Sequence, residues 1–345
     1  MLPPLSRQLQ ETFTTATTYD VVGIGNAIVD IIGRCDDAFL TRHDAVKGRM
    51  QLADAETVTR LYDAMGPAVE ISGGSVANTM VGIASFGGRS AFIGRVADDA
   101  FGGIFSHDIR AAGVAYTTPA AQLDIPTARC LVLVTPDGER TMNTFLGVSP
   151  YLDGGAVDPA VIQAASIVYL EGYLFDRPEA KAAFRQAADI ATQAGRKVAL
   201  SLSDAFCVDR HRAEFLDLVR SRVDILIANE SEITSLYEVN SFDEAAQRAS
   251  ADTGIAALTR SADGSVILAR GHSPITIAAE PIKQVVDTTG AGDLYAAGFL
   301  YGLASGRSLD VAGRLGSLAA AEIISHLGAR PEQSLADLAK ARQII

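Results

Sequence analysis

The sequence contains no tryptophan, only three cysteines in 345 residues, and fewer basic than acidic side chains. Cys35, Cys130 and Cys207 are an odd number without CxxC spacing, which argues against a disulfide framework and against a zinc cluster. The 29 Lys and Arg residues against 41 Asp and Glu residues give a net charge of -12, and no basic run occurs. We therefore expect a reducing, cytoplasmic location and no nucleic-acid partner.

Long apolar runs are also absent. The longest uncharged stretch, residues 71–88, contains five glycines and several hydroxyl side chains, so it is too polar to span a bilayer. Residues 1–18 lack the apolar stretch of a secretory signal and are rich in threonine, which predicts a flexible N-terminal extension. We expect no membrane partner.

Four common active-site signatures are missing. After the first strand-like segment, Ile28 replaces the third glycine of G-x-G-x-x-G, so the dinucleotide fingerprint fails. No Gly-Lys pair exists, which excludes a Walker A loop, and neither an HExxH nor a GxSxG motif is present. Dinucleotide, P-loop, zincin and serine-hydrolase chemistries therefore have no support in the sequence.

Apolar, β-branched segments alternate with helical patterns along most of the chain. Residues 19–25 and 28–32 predict a sheet core that is buried on both faces, and later strand-like runs include ASIVYLEG and KVALSLS. This alternation indicates βαβ units around a mostly parallel sheet. Residues 114–147 instead contain a Pro-Asp-Gly turn between two strand-like runs and, with residues 33–54, predict a small sheet outside the main one.

The most specific signal is DTTGAGD at residues 287–293, which lies between a strand-like and a helical pattern. Small residues at a helix start allow successive backbone N–H groups to converge on an anion, and the helix dipole favours negative charge there. The segment thus predicts an anion hole with the carboxylate of Asp293 at its rim. The alternative is a tight strand-to-helix turn in which Asp293 only caps the helix.

DTTGAGD is similar to the signature DTxGAGD of the ribokinase-like (PfkB) sugar and nucleoside kinases. Residues 73–78 (GGSVAN) resemble that family's N-terminal signature, in which an asparagine follows two glycines. The resemblance implies a three-layer α/β/α kinase domain over residues 19–345 with a mostly parallel central sheet. It also implies a small β lid formed from parts of 33–54 and 114–147, with the active site between the lid and the sheet edge.

Within the family, the details are most similar to adenosine kinases, which share the pattern G-x-G-N-x-x-x-D found at residues 23–30. A carboxylate such as Asp30 can accept hydrogen bonds from the vicinal hydroxyls of a ribose; the alternative is a residue that simply ends a strand. Tyr173 matches an aromatic residue that stacks on the purine, and a core tyrosine is the alternative. The implied substrate-binding residues are Asn26, Asp30, Gly73, Gly74, Asn78, Arg140 and Tyr173.

The resemblance also implies residues that bind ATP and Mg²⁺. Asn229 and Glu232 match the family's N-x-x-E motif, which organises Mg²⁺ and phosphates through water, and the alternative is an ordinary helix start. Arg140 matches an arginine that reaches the transferring phosphate, whereas by itself it would pass for a solvated charge. The implied ATP-binding residues are Asn229, Thr259, Arg260, Gly264, Thr288, Gly290 and Gly292. A monovalent cation such as K⁺ is a further expectation.

The activity that the resemblance implies is transfer of the γ-phosphate of MgATP to a primary hydroxyl. Asp293 would remove the hydroxyl proton, and the N–H groups of Gly290, Ala291, Gly292 and Asp293 would stabilise the transferring phosphoryl group. The 5′-hydroxyl of adenosine is the first choice of acceptor, which would give AMP for purine salvage. We expect a monomer or a homodimer whose partners are small molecules.

Two alternatives stay open. Thr289 stands where adenosine kinases commonly have asparagine, and residues 139–149 (ERTMNTFLGVS) resemble the sugar-kinase members, which favours ribose, fructose or a 2-keto-3-deoxy sugar acid. A sugar acid would need an arginine or lysine near Asn78 or Asp30. The second alternative is a non-catalytic nucleoside-binding protein, against which the presence of Asp293 argues.

Overall fold

The computed structural model describes residues 17–345, which form two β-sheets with helices around them. The strands are β1 (Tyr19–Ile24), β2 (Ile28–Arg34), β3 (Met50–Leu52), β4 (Ala68–Gly73), β5 (Ser90–Ile93), β6 (Ala115–Tyr116), β7 (Ala128–Val134), β8 (Arg140–Phe145), β9 (Ala165–Glu171), β10 (Lys197–Ser201), β11 (Ile225–Asn229), β12 (Ile255–Thr259), β13 (Ser265–Ala269) and β14 (Ile275–Ile277). Of the extension predicted over residues 1–18, all but the last two residues lie outside the described range.

The helices are α1 (Asp37–Arg42), α2 (Ala55–Ala64), α3 (Ser75–Ser85), α4 (Ala100–Ala111), α5 (Pro159–Gln163), α6 (Pro178–Gln193), α7 (Ala205–Arg222), α8 (Glu230–Tyr237), α9 (Phe242–Asp252), α10 (Ala291–Ala304), α11 (Leu309–Ile323) and α12 (Leu335–Ala341). Within the described residues, none of these helices combines the length and hydropathy that crossing a membrane requires.

The larger sheet has nine strands in the order β14-β13-β12-β11-β10-β9-β1-β5-β6. All pairings from β12 to β6 are parallel, and β13 and β14 are antiparallel additions at one edge. Central strands such as β1 and β9 are largely buried and apolar, as expected for parallel strands that are covered on both faces. The predicted mostly parallel central sheet is confirmed.

Helices cover both faces of this sheet. Along β1, Val21 packs into a core with α3, α4, α10 and α11, whereas Val22 packs into a second core with α6, α7, α8 and α9. Successive side chains of a strand point to opposite faces, so one strand contributes to both cores. The result is the three-layer α/β/α arrangement that the sequence predicts.

The smaller sheet has the strand order β3-β8-β7-β2-β4. β2 pairs with β7 and β3 pairs with β8 in parallel, and the other pairs are antiparallel. On one face, Val29 and Ile31 of β2 pack with Val58 and Leu61 of α2. Because side chains alternate along a strand, Asp30 of β2 belongs to the opposite face.

The smaller sheet uses more of the chain than the two segments predicted for it. β3 comes from 33–54, and β7 and β8 come from 114–147, but β4 and most of β2 lie outside both segments, and β6 joins the larger sheet. Residues 19–25 and 28–32 are both continuous apolar runs, which is why the sequence predicts one sheet core from the two. A strand backed by helices in a small sheet has the same composition, and the chain changes sheet within residues 25–27.

Candidate active site

Two helix N-termini, each preceded by a glycine, meet at the carboxylate of Asp293. Gly74 has φ +103° before α3, and Gly290 has φ +80° before α10, a backbone region that glycine adopts freely. A Cβ on Gly74 would lie 2.1 Å from the carbonyl oxygen of Asn26, and one on Gly290 would lie 3.0 Å from the Cβ of Ala329. Both turns therefore depend on close backbone approach.

Residues of α3 hold the side chain of Asp293. Its Oδ1 accepts a hydrogen bond from the Ser75 hydroxyl at 2.6 Å, and its Oδ2 accepts one from Nδ2 of Asn78 at 3.0 Å. Burial raises the pKa of Asp293, whereas these two hydrogen bonds and the charge of Arg330 oppose that rise. A fixed carboxylate of raised pKa is suited to accept a proton. Asn78, predicted to bind substrate, positions Asp293 in this structure.

The first turn of α10 leaves donors free for an anion. Among the described residues, no acceptor pairs with the N–H groups of Gly290, Gly292 and Asp293, whereas that of Ala291 donates to the Thr288 carbonyl at 3.2 Å. The Ala291 N–H, which was expected to be one of the donors, is therefore engaged by the protein. The three free N–H groups lie at the positive end of a helix dipole, which is what an anion hole requires.

Asp30 lies on β2 with its carboxylate against Gly73, the first glycine of GGSVAN. A Cβ on Gly73 would lie 2.3 Å from Oδ2 of Asp30, so only glycine leaves room for this side chain. Burial raises the pKa of Asp30 to about 6, the charges of Arg330 and Arg140 oppose the rise, and the charge of Asp293 adds to it. No hydrogen bond from the described residues lowers this pKa, so the carboxylate can accept hydroxyl groups of a ligand.

Arg140, at the start of β8, pairs with Asp287, the first residue of DTTGAGD. Both side chains are almost fully buried, and Nη1 of Arg140 donates to Oδ2 of Asp287. Asp287 also accepts the N–H groups of Thr289 and Gly328, both at 3.0 Å. This ion pair connects the smaller sheet to the turn before α10, so Arg140 lies beside the predicted phosphate site with Nη1 engaged by Asp287, while its Nε is buried without a partner among the described residues.

Glu171, a buried carboxylate at the end of β9, is absent from the sequence-based candidates. It accepts hydrogen bonds from Nδ2 of Asn26 at 2.6 Å, the Asn26 N–H at 3.2 Å and the Val76 N–H at 3.0 Å. Burial raises its pKa to about 7. Glu171 thus ties the end of β1 to the first turn of α3. Oδ1 of Asn26 accepts the Ser149 hydroxyl at 2.9 Å, so a contact between Asn26 and a substrate stays a prediction.

Two exposed aromatic rings follow adjacent strands of the larger sheet. Tyr173, two residues after β9, is 43% exposed, while the next two residues are buried, so Tyr173 is not a core residue. Phe206, which the sequence analysis does not single out, is 74% exposed and follows β10. The two segments are neighbours, since Sγ of Cys207 donates to the Gly172 carbonyl at 3.2 Å. Exposed rings of this kind are suited to stack on a flat ligand.

The predicted ATP-binding residues outside DTTGAGD lie at the ends of β11 and β12. Asn229 and Thr259 are register partners in these parallel strands. Arg260 donates to Glu230 at 3.0 Å, and Gly264, with φ +81°, turns the chain from β12 into β13. Because β1, β9, β11 and β12 run parallel, these residues lie at the same sheet edge as Glu171. Ligands of α/β proteins bind at this carboxyl edge.

Asn229 and Glu232 form a reciprocal capping box at the start of α8. Oδ1 of Asn229 accepts the Glu232 N–H at 2.9 Å, while the Glu232 carboxylate accepts the Asn229 N–H at 3.0 Å and its Nδ2 at 2.6 Å. Every oxygen of these two side chains already accepts a hydrogen bond within the first turn of α8. The pair fits the predicted contact through water, because a carboxylate oxygen keeps a second lone pair. Burial raises the pKa of Glu232 to about 7.

Across residues 17–345, no group of three or more acidic, histidine or cysteine side chains is arranged to hold a metal ion.

Comparisons with known proteins agree on one family. Residues 65–335 match the profile described as pfkB family carbohydrate kinase. The crystal structure of a probable sugar kinase protein from Rhizobium etli CFN 42 superposes with a TM-score of 0.87 at 51% identity, over 95% of this chain and 100% of that chain. The crystal structure of adenosine kinase from Sinorhizobium meliloti superposes with a TM-score of 0.85 at 52% identity, over 95% of this chain and 99% of that chain. The chain is also 26% identical to the adenosine kinase of Saccharomyces cerevisiae, over 90% of this chain and 96% of the yeast protein.

Proposed function

Because the chain belongs to the pfkB family of carbohydrate kinases, we propose that it phosphorylates the 5′-hydroxyl of adenosine and produces AMP. Kinases of this family transfer a phosphoryl group from ATP to an alcohol. The relatives include both adenosine kinases and sugar kinases, so the choice of acceptor needs evidence from the site itself.

The two exposed rings, Tyr173 and Phe206, are the observation that most supports adenosine. A purine has two flat faces, and an aromatic pair contributes about 0.5–1.5 kcal/mol beyond the burial of its area. Ribose and fructose have no aromatic face, so they cannot form this stacking interaction. Neighbouring exposed apolar side chains are typical of a surface that a ligand covers.

The arginines near the site favour a neutral acceptor over a sugar acid. Arg330 and Arg140 are the cations whose charge acts on Asp30. The Arg140 side chain is almost fully buried and paired with Asp287 through Nη1, with Nε buried and without a partner among the described residues, and Arg330 donates to backbone carbonyls. A substrate carboxylate would need an open guanidinium that can form two parallel hydrogen bonds. A nucleoside does not have this requirement.

In the proposed reaction, Asp293 takes the proton of the acceptor hydroxyl. The free N–H groups of Gly290 and Gly292 stabilise negative charge on the transferring phosphoryl group. Asp30 accepts the vicinal hydroxyls of the ribose and thereby orients the 5′-hydroxyl toward Asp293. These three roles, proton acceptance, charge stabilisation and orientation of the acceptor, suit phosphoryl transfer, because that reaction depends mainly on positioning and electrostatics.

ATP would lie along the ends of β11 and β12, beside Thr259, Arg260 and Gly264. Kinases of this family usually use Mg²⁺, which supplies positive charge to the phosphates when it is bound, and Glu232 would contact it through water. Closure of the smaller sheet would exclude water from the site. A requirement for K⁺ and a role in purine salvage stay predictions of the resemblance.

A screen of acceptors tests this function. ADP release is followed with MgATP and, in turn, adenosine, inosine, ribose, fructose and 2-keto-3-deoxygluconate, and we expect adenosine to give the highest kcat/KM. Efficient use of ribose or fructose without adenosine would make the protein a sugar kinase. Preference for the sugar acid would contradict the argument from the engaged arginines. Binding of adenosine in calorimetry without turnover of any acceptor would favour the non-catalytic binding protein.

Replacing Tyr173 with alanine should raise KM for adenosine roughly fivefold, because about 1 kcal/mol of stacking is lost. The value of kcat should change little, and Tyr173→Phe should keep the wild-type KM. Tyr62→Ala is the matched control, since Tyr62 is an exposed tyrosine of α2 whose hydroxyl donates to Glu70 at 2.7 Å. Equal KM values for the two alanine variants would show that the Tyr173 ring does not contact the base.

A further inference from the structure

Arg330 joins three parts of the chain that surround the active site. It follows α11, and its Nε and Nη1 donate to the backbone carbonyls of Ser72, near the end of β4, and Ala77, in the first turn of α3, each at 3.0 Å. Its Nη2 donates to the carbonyl of Ser72 and, at 2.9 Å, to the Ser72 hydroxyl. The guanidinium therefore fixes the glycine turn between β4 and α3 relative to the segment after α11.

The same guanidinium lies among carboxylates from three different elements. Asp30 is on β2, Asp108 on α4 and Asp293 on α10, and all of them act on its charge. Asp108 itself accepts the N–H and the hydroxyl of Ser72, at 2.7 and 2.6 Å. Burial lowers the pKa of Arg330 to about 10, so its side chain is still protonated at neutral pH. One buried positive charge thus acts on both carboxylates of the proposed reaction.

We propose that Arg330 is a positioning residue of the phosphotransferase site: it holds in place the glycine turn before α3, which contacts both Asp30 and Asp293, and it is the buried cation that balances the charge of these two carboxylates. The proposal rests on the proposed function, which needs Asp293 ionised to take a proton and Asp30 ionised to accept two hydroxyls. Arg330 acts through these residues, because its own donors are directed at the protein. Without it, two carboxylates would repel each other inside a buried site, and one would bind a proton.

Other titratable groups also face the two carboxylates. They are Arg140 on β8, Cys130 on β7, and Glu171, Tyr169 and Tyr173 on or after β9. The thiol and the phenols carry no charge at neutral pH, and Glu171 adds negative charge once it is ionised. Arg140 is already paired with Asp287. Arg330 is therefore the cation whose removal should change the charge balance of the site most.

The pH dependence of kcat/KM tests the proposal. Arg330→Met removes the charge, and Arg330→Lys keeps it without the forked hydrogen bonds. With the acceptor that the wild type uses best, Arg330→Met should move the acid limb of the profile about one pH unit higher, because a nearby positive charge lowers a carboxylate pKa by that amount or more. Arg330→Lys should keep the acid limb near its wild-type position with a lower kcat. An acid limb of Arg330→Met at the wild-type position would overturn the proposal.

Arg129→Met is the matched control. Arg129 of β7 is also buried, but its guanidinium lies over the rings of Phe101 and Phe145. This variant should lose thermal stability without moving the acid limb. A shift in the control as large as that of Arg330→Met would mean that the limb reports a loosened structure, and it would also overturn the proposal.

A measurement without turnover separates this inference from the proposed function. The pKa of Asp30 is about 6 in the native protein and about 4 in an unfolded chain, so stability falls as pH rises through this interval and is level above it. Loss of Arg330 raises the pKa of Asp30 in the native protein further, so the decrease in stability continues to higher pH. The Tm difference between wild type and Arg330→Met should therefore be larger at pH 8 than at pH 5.

For Arg129→Met, the Tm difference should be the same at both pH values. Its acidic neighbour Asp99 is ionised throughout, since hydrogen bonds from Thr127 and Gly102 outweigh burial and hold the pKa of Asp99 below its usual value. A Tm difference of Arg330→Met that does not depend on pH would overturn the inference, whichever acceptor is used. A pH-dependent difference combined with a failed acceptor screen would reject only the proposed function.

Discussion

Asp293→Asn should lower kcat by roughly 10²–10⁴-fold, the usual contribution of a positioned base. An asparagine fits the same space and can still bond to Ser75 and Asn78, because the Ser75 hydroxyl can accept as well as donate. The fold and the affinity for ATP should therefore stay near wild type. Steady-state kinetics at saturating ATP and adenosine, together with Tm, measure both parts of this expectation.

Asp99→Asn is the matched control for that experiment. Asp99 is the N-cap of α4, and its Oδ1 accepts the Gly102 N–H and the Thr127 hydroxyl, both at 2.7 Å, which an asparagine can still do. Its Oδ2 accepts the Thr127 N–H at 2.9 Å, a hydrogen bond that asparagine loses. The control should therefore have a lower Tm and keep its kcat. If Asp293→Asn retained more than about a third of the wild-type kcat, Asp293 would not be a base that contributes at this level. The helix-cap alternative for DTTGAGD would then be preferred.

The turn before α10 could be predicted because its parts are contiguous. Gly290, Gly292 and Asp293 lie within four residues, and their arrangement follows from a local rule for helix starts. The turn before α3 is local in the same way. The contact between the two turns is not, since Ser75 and Asp293 are 218 positions apart and no spacing rule relates residues at that distance.

Glu171 and Arg330 escape prediction for the same physical reason. Arg330 bonds to Ala77 and Ser72, which lie 253 and 258 positions away, and nothing in its own loop indicates these partners. Glu171 does leave one signal, because an acidic residue that ends a fully apolar strand must find hydrogen-bond partners when it is buried. That signal indicates a polar contact at the end of β9 without naming Asn26 as the partner.

The Asn229–Glu232 motif shows why a sequence cannot always separate a helix start from a metal site. A capping box and an N-x-x-E motif need the same residue types at the same spacing. The structure forms the capping box, and the contact with Mg²⁺ through water stays a prediction. Both uses can coexist, because the cap holds the Glu232 carboxylate in one orientation.

Asp30→Ala should weaken adenosine binding roughly tenfold to more than a hundredfold, since losing a charged hydrogen-bond partner costs about 1.5–3 kcal/mol. The described residues donate no hydrogen bond to this carboxylate, so its removal leaves no protein donor unpaired. Burial raises its pKa to about 6, which means that the ionised form is unfavourable in the folded protein. Its removal should therefore keep or raise Tm while KM for adenosine rises.

2′-Deoxyadenosine separates a direct contact of Asp30 from a structural effect, because it lacks one of the two vicinal hydroxyls. The wild type should have a higher KM for 2′-deoxyadenosine than for adenosine. The substitution Asp30→Ala should raise the KM for 2′-deoxyadenosine by a smaller factor than the KM for adenosine, a non-additivity that marks a direct contact. Asp30→Asn keeps the shape of the side chain without its charge, so its KM for adenosine should lie between those of the wild type and Asp30→Ala. Equal losses with both nucleosides and a lower Tm would mean that Asp30 has only a structural role, and the structure places it inside β2 and not at a strand end. Efficient turnover of ribose or fructose without adenosine would assign the Asp30 contact to a sugar's hydroxyls and leave the Asp293 step unchanged.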